Sequence, residues 1–158
     1  MASTQQTARP AYLSGGRRAQ RKPIAAVAAA RYTGALALLA MAVIHLVEYA
    51  GNGYSQIPTI GPLFLLNFIG GAALGLALMS PLDRLPNGRG GQLLVTLAVV
   101  GAAMAAVSIA FLLVSEQTPL FGFQEAGYRP AIVLALVAEG LALVCLAGFA
   151  ASRLLARR

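Results

Sequence analysis

Gln92–Ser115 reads QLLVTLAVVGAAMAAVSIAFLLVS, twenty-four residues without a single charge. At a rise of about 1.5 Å per residue, a helix of this run is roughly 36 Å long, enough to cross the roughly 30 Å hydrocarbon core of a bilayer. Hydrocarbon offers no partner to backbone N–H and C=O groups, so a single crossing segment must be helical. Three further apolar runs, at about residues 31–50, 59–79 and 130–151, have the same character. The expected fold is therefore all-α: an integral membrane four-helix bundle, antiparallel, with both termini cytoplasmic.

Composition agrees. The chain has 158 residues, one domain's worth, of which 58% are hydrophobic and 11% charged. A soluble domain this apolar would lack the polar surface to cover itself. The net charge of +7 is placed as a topology signal rather than as a nucleic-acid footprint. Arg9, Arg17, Arg18, Arg21, Lys22 and Arg31 precede the first span, Arg84 and Arg89 lie in the middle break, and Arg153, Arg157 and Arg158 end the chain. Only Arg129 falls on the other side. A bacterial cytoplasmic membrane fits this bias, with lipid as the first partner and no nucleic acid. Four of the five acids, Glu48, Glu116, Glu125 and Glu139, fall in the opposite, outer half.

The organisation follows from the breaks. Residues 1–23 read as a flexible basic tail, 24–151 as the four-span domain, and 152–158 as a second basic tail. Ile24–Ala30 is too short a hydrophobic core for a cleaved signal peptide, and the run after Arg31 is long enough to remain as an anchor. Ser80–Gly91 is a turn-rich inner break, and Pro130 suits the first turn of the last helix. The outer loops echo one another, Gly51-Asn52-Gly53-Tyr54 against Glu125-Ala126-Gly127-Tyr128, which raises the idea of two hairpin repeats.

Lipid is as apolar as leucine, so small residues must let the helices approach. Asn67, Gly71 and Gly75 recur at four-residue steps on one face. Gly101, Ala105 and Ser108 share a face of the third span, and Gly140 and Gly148 lie in the fourth. These stripes read as bundle-facing, with a dimer interface as the alternative for Gly71 and Gly75.

Three residues stand out because a bilayer penalises them: His45, Glu48 and Glu139. Counting from the outer helix ends, Glu139 lies roughly 13 Å deep, Asn67 roughly 12 Å, Ser108 roughly 10 Å and His45 roughly 7 Å. Each helix thus brings a polar group to a comparable depth. Two readings stay open. His45, Glu48, Asn67, Ser108 and Glu139 form a ligand or proton pocket open to the outer face, or they only bond helix to helix; Glu48, near the interface, has simple solvation as a further alternative. Tyr49, Tyr54, Phe121, Phe123 and Tyr128 read as an outer aromatic belt, or as a docking surface. One His and one Cys, Cys145, cannot build an ordinary zinc site, so no metal and no cofactor is implied.

The stretch Ile44–Tyr49 followed by Gly53–Asn67, together with Phe121–Arg129 and Val137-Ala138-Glu139, resembles small four-span membrane proteins of high-GC Gram-positive bacteria that have no assigned function. The architecture also resembles DoxX-like four-helix proteins, some of which associate with redox partners. The small multidrug-resistance transporters share four spans and a membrane Glu, but theirs lies in the first span. The leading expectation is a non-enzymatic accessory subunit that binds a membrane-protein partner or its own copies. The alternatives are a proton or small-cation transporter acting as an oligomer, and a redox-associated protein holding haem or quinone.

Overall fold

The computed structural model describes residues 15–86, 89–125 and 127–156. Four helices carry the chain: α1 (Gly15–Gly51), α2 (Ile60–Met79), α3 (Arg89–Gln117) and α4 (Pro130–Leu155). Short 3-10 turns, Tyr54–Gln56 and Leu82–Arg84, interrupt two of the connections. All four helices are long and apolar enough to cross a membrane. Their outward side chains need a non-aqueous solvent: Val144 is 71% exposed, Val137 63% and Leu66 62%.

Helix ends differ from the expected spans in instructive ways. Residues 15–23, expected as flexible tail, belong to α1; Arg17–Lys22 is made of good helix formers, and tail composition alone does not stop a helix. Residues 152–155 likewise extend α4 beyond its expected end at 151. The remaining tail residues, 1–14 and 157–158, lie outside the described residues. The start of α4 is as expected: extended Arg129 precedes Pro130, whose ring is compatible with a first helical turn and whose missing N–H has no helical partner to lose.

Packing is uneven. α1 lies along both α2 and α4, and α3 lies along α4, whereas α2 and α3 touch sparsely. The core they share is built from Leu38, Met41, Leu78, Leu94, Leu146 and Phe149, spaced by buried alanines such as Ala35, Ala98, Ala105 and Ala142. Gly71 and Gly75 turn towards α1. A methyl group on Gly71 would sit 3.1 Å from the Leu38 carbonyl, and one on Gly75 would sit 2.7 Å from Leu39 Cγ and 3.0 Å from the Ala35 carbonyl. This pair therefore serves packing within the chain. On α3, Gly101 receives Leu38 and Leu146 in the same way. Gly140 and Gly148 do not: nothing lies within 4 Å of a methyl group built on either. The close α1–α4 approach falls instead at Gly34, where a methyl group would meet Leu146 at 2.6 Å. Spacing alone did not mark it, because Gly34 lies in an alanine-rich run with Ala30 and Ala37 one turn to either side, so no single face stands out as small.

Arg31, counted among the charges before the first span, lies inside α1 and is only 4% exposed. Its Nε donates to the Leu78 carbonyl at 2.7 Å and Nη2 donates to the Ser80 carbonyl at 2.5 Å, while Nη1 pairs with Asp83. The last carbonyls of a helix have no partner within it and carry partial negative charge, so a guanidinium there satisfies both needs. Arg153 of α4 reaches the same Asp83 at 3.1 Å. This turn end of the bundle is thus tied by two arginines on one carboxylate.

Gly75→Ala should lower the stability of the bundle by about 1–3 kcal/mol, the usual cost of overpacking. Gly140→Ala should lower it not at all. The check is the detergent-unfolding midpoint followed by helical circular dichroism; equal midpoints for the two variants would refute the α1–α2 contact at Gly75.

Candidate functional site

Four side chains, one from each helix, form a connected chain of hydrogen bonds inside the bundle. His45 Nδ1 lies 3.0 Å from the Met41 carbonyl on its own helix. A carbonyl only accepts, so Nδ1 carries the proton and, in the neutral ring, Nε2 is an acceptor. Asn67 Nδ2 supplies the donor at 3.2 Å, and its second hydrogen faces Ser108 Oγ at 3.3 Å. The Ser108 hydroxyl then donates to Glu139 Oε1 at 2.5 Å. His45 Nε2 stands 3.8 Å from that same oxygen. Glu139 Oε2 is buried and has no hydrogen-bond partner among the described residues.

Glu48 takes part elsewhere. It is 5% exposed rather than solvated, because Arg129 Nη2 donates to it at 3.1 Å and Asn52 Nδ2 donates to its other oxygen at 2.8 Å. Arg129 Nη2 also donates to Tyr54 Oη at 2.7 Å, and the Tyr54 hydroxyl donates to Glu125 Oε2 at 2.5 Å. Arg129 Nε lies 3.6 Å from Glu125 Oε1. Two acids, a phenol and a guanidinium thus close the loop end of the bundle. The phenol of Tyr54 keeps its proton well above the ordinary tyrosine range, first because it is buried and next because that proton is bonded to Glu125.

The expected aromatic belt divides in consequence. Tyr54 is 6% exposed, stacked on Phe64 at 4.5 Å and edge-on to Phe123 at 5.6 Å, so it is a plug and not a belt residue. Tyr49 is half-buried, whereas Phe121 and Tyr128 remain exposed. Tyr128 is therefore no structural counterpart of Tyr54, against the idea of two hairpin repeats.

Between this cap and the relay lies a cavity of about 600 Å³. His45, Asn67, Ser108 and Glu139 form its polar floor, Tyr54, Phe123, Glu125 and Arg129 line its loop end, and along α3 it extends past Ser108 to Val99. The expected opening was at the outer face. The lining residues that remain exposed are instead Leu66 on α2 and Val99, Val100, Ala103, Val107 and Phe111 on α3. The mouth is therefore lateral, along the seam where α2 and α3 touch least, and its rim is apolar. Towards the turn end the floor rests on Leu38, Ala98, Ala142 and Leu146, and no buried polar side chain lies between it and Arg31 among the described residues.

The cap was the part that residue types alone did not single out. Its signal was present in Arg129, the one basic residue in the acid-rich half. Among the described residues no three His, Cys, Asp or Glu side chains converge on a metal position. No family model, curated protein or solved structure matches the chain.

Two measurements test the cap. Because Tyr54 holds its proton more tightly when folded than when unfolded, the stability it confers is complete below about pH 10 and is lost as pH rises beyond that value. The alkaline difference spectrum between wild type and Tyr54→Phe should accordingly show no phenolate near pH 10.5; ionisation at the ordinary tyrosine value would contradict the geometry. Arg129→Gln should cost about 1–2 kcal/mol, below the ~3–5 kcal/mol of a fully buried pair because the guanidinium is 41% exposed. Adding Glu48→Gln to that variant should recover part of the loss in the same unfolding assay.

Proposed function

We propose that this chain is an antiparallel four-helix protein of the bacterial cytoplasmic membrane, termini inside, that acts as a non-enzymatic accessory protein by holding an amphipathic, membrane-dissolved molecule. The observation that carries the reading is the cavity: about 600 Å³, polar at its floor, apolar at its rim and open along the α2–α3 seam. Ligand sites commonly have this size and this pattern of an apolar wall with few convergent polar groups. A molecule already dissolved in lipid reaches such a mouth without crossing water. The chain direction supports the orientation, since the Arg31 and Arg153 end of the bundle is also the end bearing the Leu82–Arg84 turn, and basic residues mark the cytoplasmic side.

Holding fits better than conduction. A proton or cation path must continue from one face to the other, whereas the core beyond Glu139 is Leu38, Ala98, Ala142, Leu146 and Phe149. The relay ends blind.

The test uses a single-chain neutral amphiphile, radiolabelled 1-hexadecanol, with purified protein in lipid nanodiscs. Saturable binding of about one molecule per chain is expected above simple partition. Ala103→Trp, which places an indole at the lateral mouth, should abolish the saturable part while leaving the helical content intact. Saturable binding that survives in this variant would sink the proposed mouth.

A further inference from the structure

The polarity of the cavity floor restricts what its occupant can be. Hydrogen-bond direction is set from one end, because the Met41 carbonyl accepts from His45 Nδ1. His45 Nε2 then accepts from Asn67, Asn67 spends its second hydrogen on Ser108, and Ser108 spends its only hydrogen on Glu139 Oε1. Every donor at the floor is consumed within the protein. What remains is an acceptor, the buried Glu139 Oε2, without a partner among the described residues, on a side chain that lines the cavity and belongs to a residue only 1% exposed.

Charge points the same way. Arg129, the cation at the loop end, is committed to Glu48, Glu125 and Tyr54. Arg31 is committed to α2 and Asp83 at the far end. His45 is the sole basic ring near Glu139, and its Nε2 lone pair already accepts from Asn67 at 3.2 Å. A carboxylate in an apolar cavity is costly unless a counter-charge and a hydrogen bond reach it together. An N–H of an ammonium group supplies both, through the strongest kind of hydrogen bond available there. Against the ionised Glu139 carboxylate, a carboxylate or phosphate head would be repelled, and a ketone or ester head would find no free donor.

We infer that the cavity is a receptor site for a lipid-soluble amine, whose ammonium N–H is taken by Glu139 Oε2 while its apolar chain lies between α2 and α3. Glu139 is the recognition group. Ser108 and Asn67 position it, and His45 anchors their bond directions. The inference rests on the ligand-binding reading above and assigns the class of head group.

The test is equilibrium competition against radiolabelled 1-hexadecanol on the full chain in nanodiscs. Hexadecylamine should displace the label at least about tenfold more effectively than unlabelled hexadecanol, and hexadecanoate less effectively than either. Glu139→Gln should bring displacement by the amine down to that of unlabelled hexadecanol, whatever its effect on the label's own affinity. An amine no better than the alcohol, or an advantage that survives Glu139→Gln, overturns the inference and leaves the cavity reading standing. Absence of saturable binding by every probe in wild type overturns the reading itself. Should Glu139→Gln fail to fold, a lipid-soluble carbodiimide applied to wild type with hexadecylamine should form the amide at Glu139, located by peptide mass spectrometry. Amide found only at Glu116, the other acid with a buried unpartnered oxygen, counts against the assignment.

Discussion

The approach of α2 to α1 at Gly71 and Gly75 governs the rest of the molecule. Two residues without side chains, one turn apart, let the backbone of α2 lie against Leu38, Ala35 and Leu39. In lipid there is no hydrophobic drive to bring helices together, so such close contact is the attraction. With Gly71 and Gly75 spent on α1, α2 meets α3 sparsely, through Gly70 against Met104 and the Asn67–Ser108 hydrogen bond. The seam stays open, and the cavity is its consequence.

Guanidinium groups tie the two ends of the bundle. Arg31 holds the end of α2 and Asp83 at the turn end, and Arg129 gathers Glu48, Glu125 and Tyr54 at the loop end. Both have several acceptors, as a buried or half-buried guanidinium requires, since it carries five donors and cannot shed its charge. Between them, among the described residues, the interior is apolar except at one level, where each helix contributes one polar side chain, and at Ser115 nearer the loop end. A polar layer confined to one depth ties the four helices without opening a path through them.

That layer has more acceptors than donors. A purely structural network would satisfy its members among themselves, whereas Glu139 keeps one oxygen unspent within an apolar wall. The residue that carries the unspent atom lines the cavity to which the α2–α3 opening leads. The geometry of packing and the polarity of the floor therefore meet in one place, although they arise from different residues.

Much is legible in the amino-acid chain alone. Four helices follow from four charge-poor runs of bilayer length, because hydrocarbon leaves the backbone no other partner. The depth of His45, Asn67, Ser108 and Glu139 follows from a fixed rise per residue. What tertiary structure alone decided is rotation. Helices apolar on every side carry no hydropathy stripe to aim them, so the sequence could not say that these four groups meet, that Gly34 and not Gly140 takes the close contact, or that Glu48 and Tyr54 lie buried under Arg129. Those outcomes depend on which small residue faces which neighbour, a matter of shape between helices that no single helix contains.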